Sequence, residues 1–415
     1  MTGNENIGMG IRAFQFPNGG TMWSNSNIGI GTILYSFSNG GSMGGNGFNI
    51  GLGTSIYTFM KSNAQFSGYN NTAIGQSIFY LTNGDLTGSA NIGLGSSLYR
   101  ILSGNMAGSS NMGIGQSSYY VRNGDITSSA LNNIALGNSI YYLGNSSTST
   151  FSGANNIGVG TTLYTLPLGD LTGTRNIGMG SGVFNLTTGN FSGNDNIGIG
   201  TNVMQISGGI SGNDNIGIGN LAMQTAGGIS GTENIGIGTY AMRASGGIAG
   251  NYNIALGHQN MYTGGKIAGT DNIAIGYQVL QPTTNTDIGS YNIGIGNWAL
   301  YADMAKGNAN IQLGNWYVGT PVAGQLNNVV AIGNEMSNLT TYSTDSNTIL
   351  LGIAGSSTPK IGMGTYKPQS KLDVNGEVRV GTEYGSCSSD NAGAIRFQSG
   401  HFYGCNGSTW KQLDN

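Results

Sequence analysis

The chain has 415 residues, of which 76 are glycine and only 7% are charged, and its formal net charge is −3. This charge excludes the basic surface that would attract a nucleic acid or an anionic membrane. No stretch approaches the roughly 18 apolar residues of a transmembrane helix. We therefore expect no nucleic-acid binding and no membrane insertion. The glycines do not fall at every third position, which excludes collagen and leaves a repetitive β structure.

A pentapeptide of the form Asn-Ile-Gly-Ile-Gly recurs along the chain, for example at 196–200, 215–219 and 234–238. With degenerate copies such as 133–137, nineteen copies end on a glycine, and these closing glycines lie 18 to 23 residues apart except in the last interval. Self-similarity with a period of about 20 residues is typical of a solenoid. The sequence therefore predicts an all-β protein with a β-solenoid, or β-roll, over residues 1–352.

We number each repeat from its closing glycine, which is position 0. Apolar residues at −3 and −1 alternate with Gly or Ala at −2 and 0, which is the period of a short strand. We expect the isoleucines at −3 and −1 to fill the coil, and the glycines to admit another wall or subunit. Large apolar residues at +4, such as Tyr164 and Met204, and at −9, such as Ile210, are also expected in the core. The asparagine at −4 is a candidate for a ladder at the turns.

One coil per repeat would stack like residues about 4.8 Å apart and give a rod of roughly 85 Å. Such a coil buries few apolar side chains, and flat faces rich in Gly and Ile are open to further association. We therefore predict a homotrimeric fibre. Because residues 6–10 already form a repeat, the array either docks on an upstream fibre or baseplate protein or continues a longer chain, and we expect an upstream part.

The composition changes near residue 360, where charged residues become more frequent. Residues 353–370 are interpreted as a linker with the last degenerate repeat, and residues 371–415 as a small C-terminal β domain that caps the solenoid and sets trimer register. Alternating residues around Asn375 and Gly376 predict a hairpin there. Cys387 and Cys405 flank a predicted strand and either pair or remain thiols, and an extracellular location favours the pair.

The repeat resembles the Asn-Thr-Ala-Ile-Gly arrays of phage tail fibres and bacterial trimeric surface proteins, and the β-roll heads of trimeric autotransporter adhesins. Residues 71–75 and 276–280 are the closest matches, and the resemblance covers about residues 4 to 352. The family's adhesin repeat is shorter than the repeat of this chain. The resemblance implies a trimeric β-roll whose partners are other copies of the chain and a host cell-surface glycan or protein.

The C-terminal part is similar to a segment common in tail-fibre proteins, through the stretches 361–364, 371–376, 392–397 and 405–410. In that family the segment often precedes an intramolecular chaperone of the endosialidase type, which is removed after trimer assembly. A chain ending at Asn415 therefore fits a matured fibre or a fragment. The resemblance implies an extracellular virion tail fibre. The alternative is a trimeric adhesin on the bacterial cell surface, which is expected to carry a signal peptide and a membrane anchor.

The sequence offers no catalytic constellation, so we expect a structural protein and no enzyme. Its two histidines, His258 and His401, stand in no recognisable motif. Asp195, Asp214 and Glu233 precede the motif asparagine in consecutive repeats and would stack as like charges. A bound Ca²⁺ would offset this repulsion, and screening by water and salt in an exposed turn is the alternative. No other cofactor is expected.

Aromatic residues are the candidates for receptor binding. The aromatic column at +4 is replaced by Met and Leu in later repeats, which indicates a core position. Trp298, Tyr301, Trp316 and Tyr317 cluster where the repeat degenerates. These four residues are therefore the candidate receptor-binding residues, with packing as the alternative role.

Overall fold

The computed structural model describes most of the repeat array and most of the C-terminal segment. The described residues are 4–13, 23, 25–33, 42–44, 47–56, 65–78, 87–98, 101–102, 107–117, 121–122, 125–127, 129–140, 150–166, 170–188, 190–282, 285–301, 305–315, 327–333, 347, 349–351, 360–381 and 385–414. The chain divides into two compact units, Met1–Leu350 and Leu351–Asn415.

The first unit is a β-solenoid in which one repeat makes one turn. Within the described residues, each of the first eighteen pentapeptides contributes one strand to an 18-stranded parallel sheet, called here the main sheet. Its strands are Ile7–Ile11, Ile28–Thr32, Ile50–Thr54, Thr72–Gln76, Ile92–Ser96, Met112–Gln116, Ile134–Ile140, Ile157–Leu163, Ile177–Ser181, Ile197–Thr201, Ile216–Asn220, Ile235–Ile237, Ile254–His258, Ile273–Tyr277, Ile293–Asn297, Ile311–Leu313, Val330–Ile332 and Ile349–Leu351. The prediction of an all-β solenoid is confirmed.

Every turn repeats the register of the previous one, so that Ile197 pairs with Ile216 and Gly198 with Gly217. Shorter parallel ladders complete the other sides of the coil, through single bridges such as Ile210 to Ile229. Three pairs of two-residue strands add to them: Ser42–Met43 with Gln65–Phe66, Ile101–Leu102 with Val121–Arg122, and Asp125–Ile126 with Thr150–Phe151. Like residues therefore stack along the whole described array.

The interior is a column of side chains from positions +3, +4, +6 and −9. In one turn these are Val203, Met204, Ile206 and Ile210, all of which are buried. The aromatic residues of earlier turns occupy the same column, where Tyr164 and Phe184 have ring centroids 4.9 Å apart. The expectation that +4 and −9 belong to the core is therefore confirmed for the described turns.

The expectation that the isoleucines at −3 and −1 fill the coil is wrong. In the strand Ile216–Asn220, only Gly217 at −2 is buried, while Ile216 and Ile218 on either side are half-exposed. The side chains at +3 and +4 of the preceding turn lie against position −2. A Cβ atom on Gly217 would stand 2.7 Å from the Cγ1 of Val203 and 3.3 Å from the Cε of Met204, so a large residue has no room there. The isoleucines therefore point away from the coil.

The closing glycine has a conformational role. Gly200 has φ of +134°, a region that residues with a side chain rarely adopt. A Cβ atom on Gly200 would also collide with the carbonyl oxygen of Gly219 in the next turn. Glycine at position 0 thus permits the turn after the strand and the close stacking of successive coils.

The asparagines at −4 form a buried amide ladder, as predicted. The backbone N–H and the Nδ2 of Asn215 both donate to the Oδ1 of Asn196, each at 3.0 Å. The same Nδ2 donates to the carbonyl oxygen of Gly231 at 2.8 Å. In turn, the Oδ1 of Asn215 accepts from the backbone N–H and the Nδ2 of Asn234. These asparagine side chains are fully buried, and each amide supplies the hydrogen-bond partners that the next one needs.

The second unit contains two small sheets. Ile361–Met363 pairs in parallel with Leu372–Val374, and Ile395–Gln398, His401–Cys405 and Trp410–Gln412 form an antiparallel sheet. A 3₁₀ turn spans Ser389–Asn391. The hairpin predicted at Asn375 and Gly376 is wrong: the hairpin turn lies at Ser399 and Gly400, whose φ values of 50° and 87° suit a two-residue turn.

Candidate functional site

The outward side of the main sheet is an exposed apolar surface, which we call the isoleucine face. It consists of the residues at −3 and −1 of each strand, and the parallel register aligns them into two columns, with Ile216 beside Ile235 and Ile218 beside Ile237. Exposed fractions along the −1 column include 41% for Ile30, 37% for Ile237 and 39% for Ile295. Monomeric proteins rarely expose a contiguous apolar surface of this length, which marks an interaction surface.

The isoleucine face carries no net charge of either sign. None of the eighteen strands of the main sheet contains Asp, Glu, Lys or Arg. The flanking position +1 is mostly Thr, Ser, Asn or Gln. Two such faces therefore meet without like-charge repulsion, and burying them costs no desolvation of a charged group.

Trp298 lies in a continuous strip of contacting rings at the ends of the main-sheet strands and just after them, which we call the aromatic strip. Its members are Tyr240, His258, Tyr277 and Trp298. His258 and Tyr277 stack with ring centroids 5.2 Å apart, and Tyr277 meets Trp298 edge-on at 5.9 Å. The Nε1 of Trp298 donates to the Oε1 of Gln278. Trp298 is thus partly buried and held in place, which fits the alternative of packing as well as receptor binding.

Tyr301 lies in the same turn as Trp298, and both pack against the core while remaining partly exposed. Tyr301 also lines a surface groove together with Tyr262 and Arg243. The other two receptor candidates, Trp316 and Tyr317, lie outside the described residues. Sequence reasoning missed Tyr240, Tyr277 and Arg243. Ring-bearing residues at +1 or +2 in four successive repeats were a signal for the two tyrosines, whereas nothing in the pattern pointed to Arg243 at +5.

The acidic residues proposed as calcium ligands stand in one column, and one of them, Asp195, is ion-paired. Asp195 is bound by Arg175 of the preceding turn, whose Nε and Nη2 each donate at 2.6 Å. These hydrogen bonds, with the positive charge behind them, hold the pKa of Asp195 below its usual value. Asp214 and Glu233 are exposed. Within the described ranges, no three acidic, histidine or cysteine side chains are grouped to hold a metal ion.

The two cysteines form a disulfide. Cys387 and Cys405 are bonded across a sequence separation of 18, with their Cα atoms 5.4 Å apart. The bond ties the segment before the 3₁₀ turn to the central strand of the C-terminal sheet. Of the two alternatives that the sequence left open, the structure has the disulfide.

No helix in the described part of the chain is long and apolar enough to cross a membrane. Comparison of the chain with family models, with curated proteins and with solved structures finds no match.

Proposed function

We propose that the chain is the shaft of a homotrimeric fibre, most closely like a phage tail fibre that attaches the virion to its host. The observation that carries the proposal is the isoleucine face. It runs along the main sheet, it is apolar and uncharged, and every repeat contributes to it.

Self-association explains this surface because identical, straight and in-register faces are complementary to one another. Three copies arranged side by side around a three-fold axis would bury all their isoleucine columns and leave no apolar face open. Closure also limits the risk of open-ended aggregation that an exposed flat sheet carries. The choice of three copies follows the resemblance of the repeat to trimeric β-roll proteins.

The mechanical role follows from the ladders. Continuous backbone hydrogen bonds, the buried asparagines and the stacked core side chains link every turn to the next. A rod built in this way is stiff along its axis, which suits a spacer that presents a host-contacting surface at a distance from the virion. The resemblance of the C-terminal segment to tail-fibre proteins supports the assignment to a phage.

Assembly is tested by placing charges on the face. The double variant Ile218→Asp, Ile237→Asp alters two exposed side chains of adjacent turns, so the fold of each chain should persist while the trimer dissociates. Ser211→Asp, Ser230→Asp is the matched control, since both serines are exposed, 19 residues apart and outside the main sheet. Sedimentation velocity should show a monomer for the first variant and a trimer for the control. Equal masses for both variants would contradict the proposal.

The biological assignment needs a separate measurement. Antibodies against the purified chain should label virion tails in immuno-electron microscopy. Labelling of the bacterial surface instead would assign the chain to trimeric surface adhesins.

A further inference from the structure

A row of half-buried polar and aromatic side chains follows the solenoid on a different side from the isoleucine face. These residues share position +5 of successive repeats, and we call them the +5 row. Its members are Gln205, Gln224, Arg243, Tyr262, Gln281 and Tyr301. Since successive turns of a parallel ladder lie about 4.8 Å apart, the row presents one side chain per turn at nearly constant spacing.

The +5 row borders two grooves that meet at Arg243 and Ser245. One groove has a volume of about 300 Å³ and is lined by Gln205, Gln224 and Thr225 among others. The other has a volume of about 340 Å³ and is lined by Tyr262, Gln281 and Tyr301 among others. None of the lining residues belongs to the main sheet, so both grooves remain open when the isoleucine face is covered.

Arg243 brings a positive charge to the junction of the grooves. Its guanidinium lies 5.2 Å from the ring centroid of Tyr240 and 5.5 Å from that of Tyr262, and its Nη1 donates to the hydroxyl of Tyr262 at 3.4 Å. Among the described residues, no carboxylate forms an ion pair with Arg243. A half-buried guanidinium held between two rings presents its remaining N–H groups to an anion.

We propose that the +5 row binds a linear acidic oligosaccharide. Tyr262 and Tyr301 supply apolar ring faces for sugar rings, and Arg243 binds a carboxylate of the oligosaccharide. One side chain per turn matches a polymer with one sugar unit per step. The inference rests on the proposed attachment function and deepens it, because it places host-glycan recognition along the side of the shaft.

The test uses the full chain on an array of bacterial capsular and lipopolysaccharide oligosaccharides. Each acidic member is printed beside its carboxyl-reduced form, and affinities of the bound members are measured by titration calorimetry. We expect binding to acidic members only, and a loss of at least about tenfold in affinity for Arg243→Gln, the size expected for a lost charge-assisted hydrogen bond. Tyr262→Leu should weaken binding without changing the preference for acidic members.

The matched control is Lys266→Gln, which removes one positive charge from an exposed residue of the next turn that lines neither groove. It should bind as the unsubstituted protein does. Arg243→Lys keeps the charge and provides a second variant if Arg243→Gln is unstable; it should retain part of the affinity because lysine lacks the planar fork. Sedimentation velocity on the same samples reports assembly independently of binding.

Three results would overturn the inference. They are a trimer that binds no acidic oligosaccharide on the array, equal binding of acidic and carboxyl-reduced members, and equal losses for Arg243→Gln and Lys266→Gln. In each case a trimeric mass leaves the fibre proposal standing. A monomeric protein that still binds acidic oligosaccharides through Arg243 would instead contradict the fibre proposal and support the binding site at the +5 row.

Discussion

The substitution Asn215→Ala removes one rung of the buried amide ladder at the centre of the described array. It deletes the donor to Asn196 and Gly231 and the acceptor for Asn234, while the backbone N–H of residue 215 keeps its bond to Asn196. The carbonyl oxygen of Gly231 and two N–H groups of Asn234 then each lose a partner. All of these groups lie inside the coil, where water does not replace the lost bonds.

The expected cost follows from those three orphaned groups. A buried polar group left without a partner costs about 1–3 kcal/mol, so the substitution should destabilise the fold by roughly 3–9 kcal/mol. Asn220→Ala is the control, because this asparagine is exposed in the same strand. A surface change of this kind usually stays within about 0.5 kcal/mol.

Urea denaturation at one fixed protein concentration compares the two variants, and amide hydrogen exchange locates the loss. Because repeat arrays are stabilised by nearest-neighbour contacts, protection should fall mainly in the turns that flank residue 215. If Asn215→Ala and Asn220→Ala differ by less than about 1 kcal/mol, the buried ladder does not stabilise the solenoid as reasoned here.

Three further substitutions test other parts of the fold. Gly200→Ala should destabilise by at least about 2 kcal/mol in urea denaturation, because φ is +134° and the added methyl meets the carbonyl of Gly219; a neutral result would show that the turn relaxes. Met223→Ala replaces a fully buried side chain by a cavity and should lower the free energy of unfolding by about 2–5 kcal/mol. An unchanged urea midpoint would contradict this expectation. Asp195→Asn should lower the melting temperature slightly at pH 7. Arg175 holds the pKa of Asp195 low, so this stabilisation exists above its ordinary pKa of 3.8 and is lost as the pH falls further. A difference that grows on acidification would contradict this sign.

The solenoid architecture could be predicted from the sequence because each sequence repeat corresponds to one turn of the coil. A period of about 20 residues fixes one turn per repeat, and identical residues must stack when the register is parallel. The asparagine at −4 was a candidate for a ladder at the turns because it recurs in most repeats, but the sequence did not show that the ladder is buried. For the two cysteines on either side of one strand, the sequence left a disulfide and free thiols both open.

The alternation of residues in the strands did not show which face of the main sheet points into the coil. A period of two shows that Ile216 and Gly217 point to opposite sides, but it does not say which side is the interior. Apolar character favoured the isoleucine, whereas Val203 and Met204 leave room at Gly217 only for a small residue. That information lies in the preceding repeat, at +3 and +4, which are 14 and 13 residues before Gly217.

The +5 row was missed for a different reason. Its residues vary between Gln, Arg and Tyr, so the position does not stand out in a search for repeated identity. Their shared property is a half-buried polar or aromatic side chain beside a groove. That property depends on the turn at +4, where Met242 adopts φ of 56°, and sequence spacing alone does not reveal it.

The molar mass of the unsubstituted protein in solution tests the central claim most directly. Multi-angle light scattering on the full chain should give three times the 42.7 kDa of one chain, independent of dilution through the micromolar range. A mass of 42.7 kDa, with the isoleucine face left open to water, would contradict the trimeric fibre.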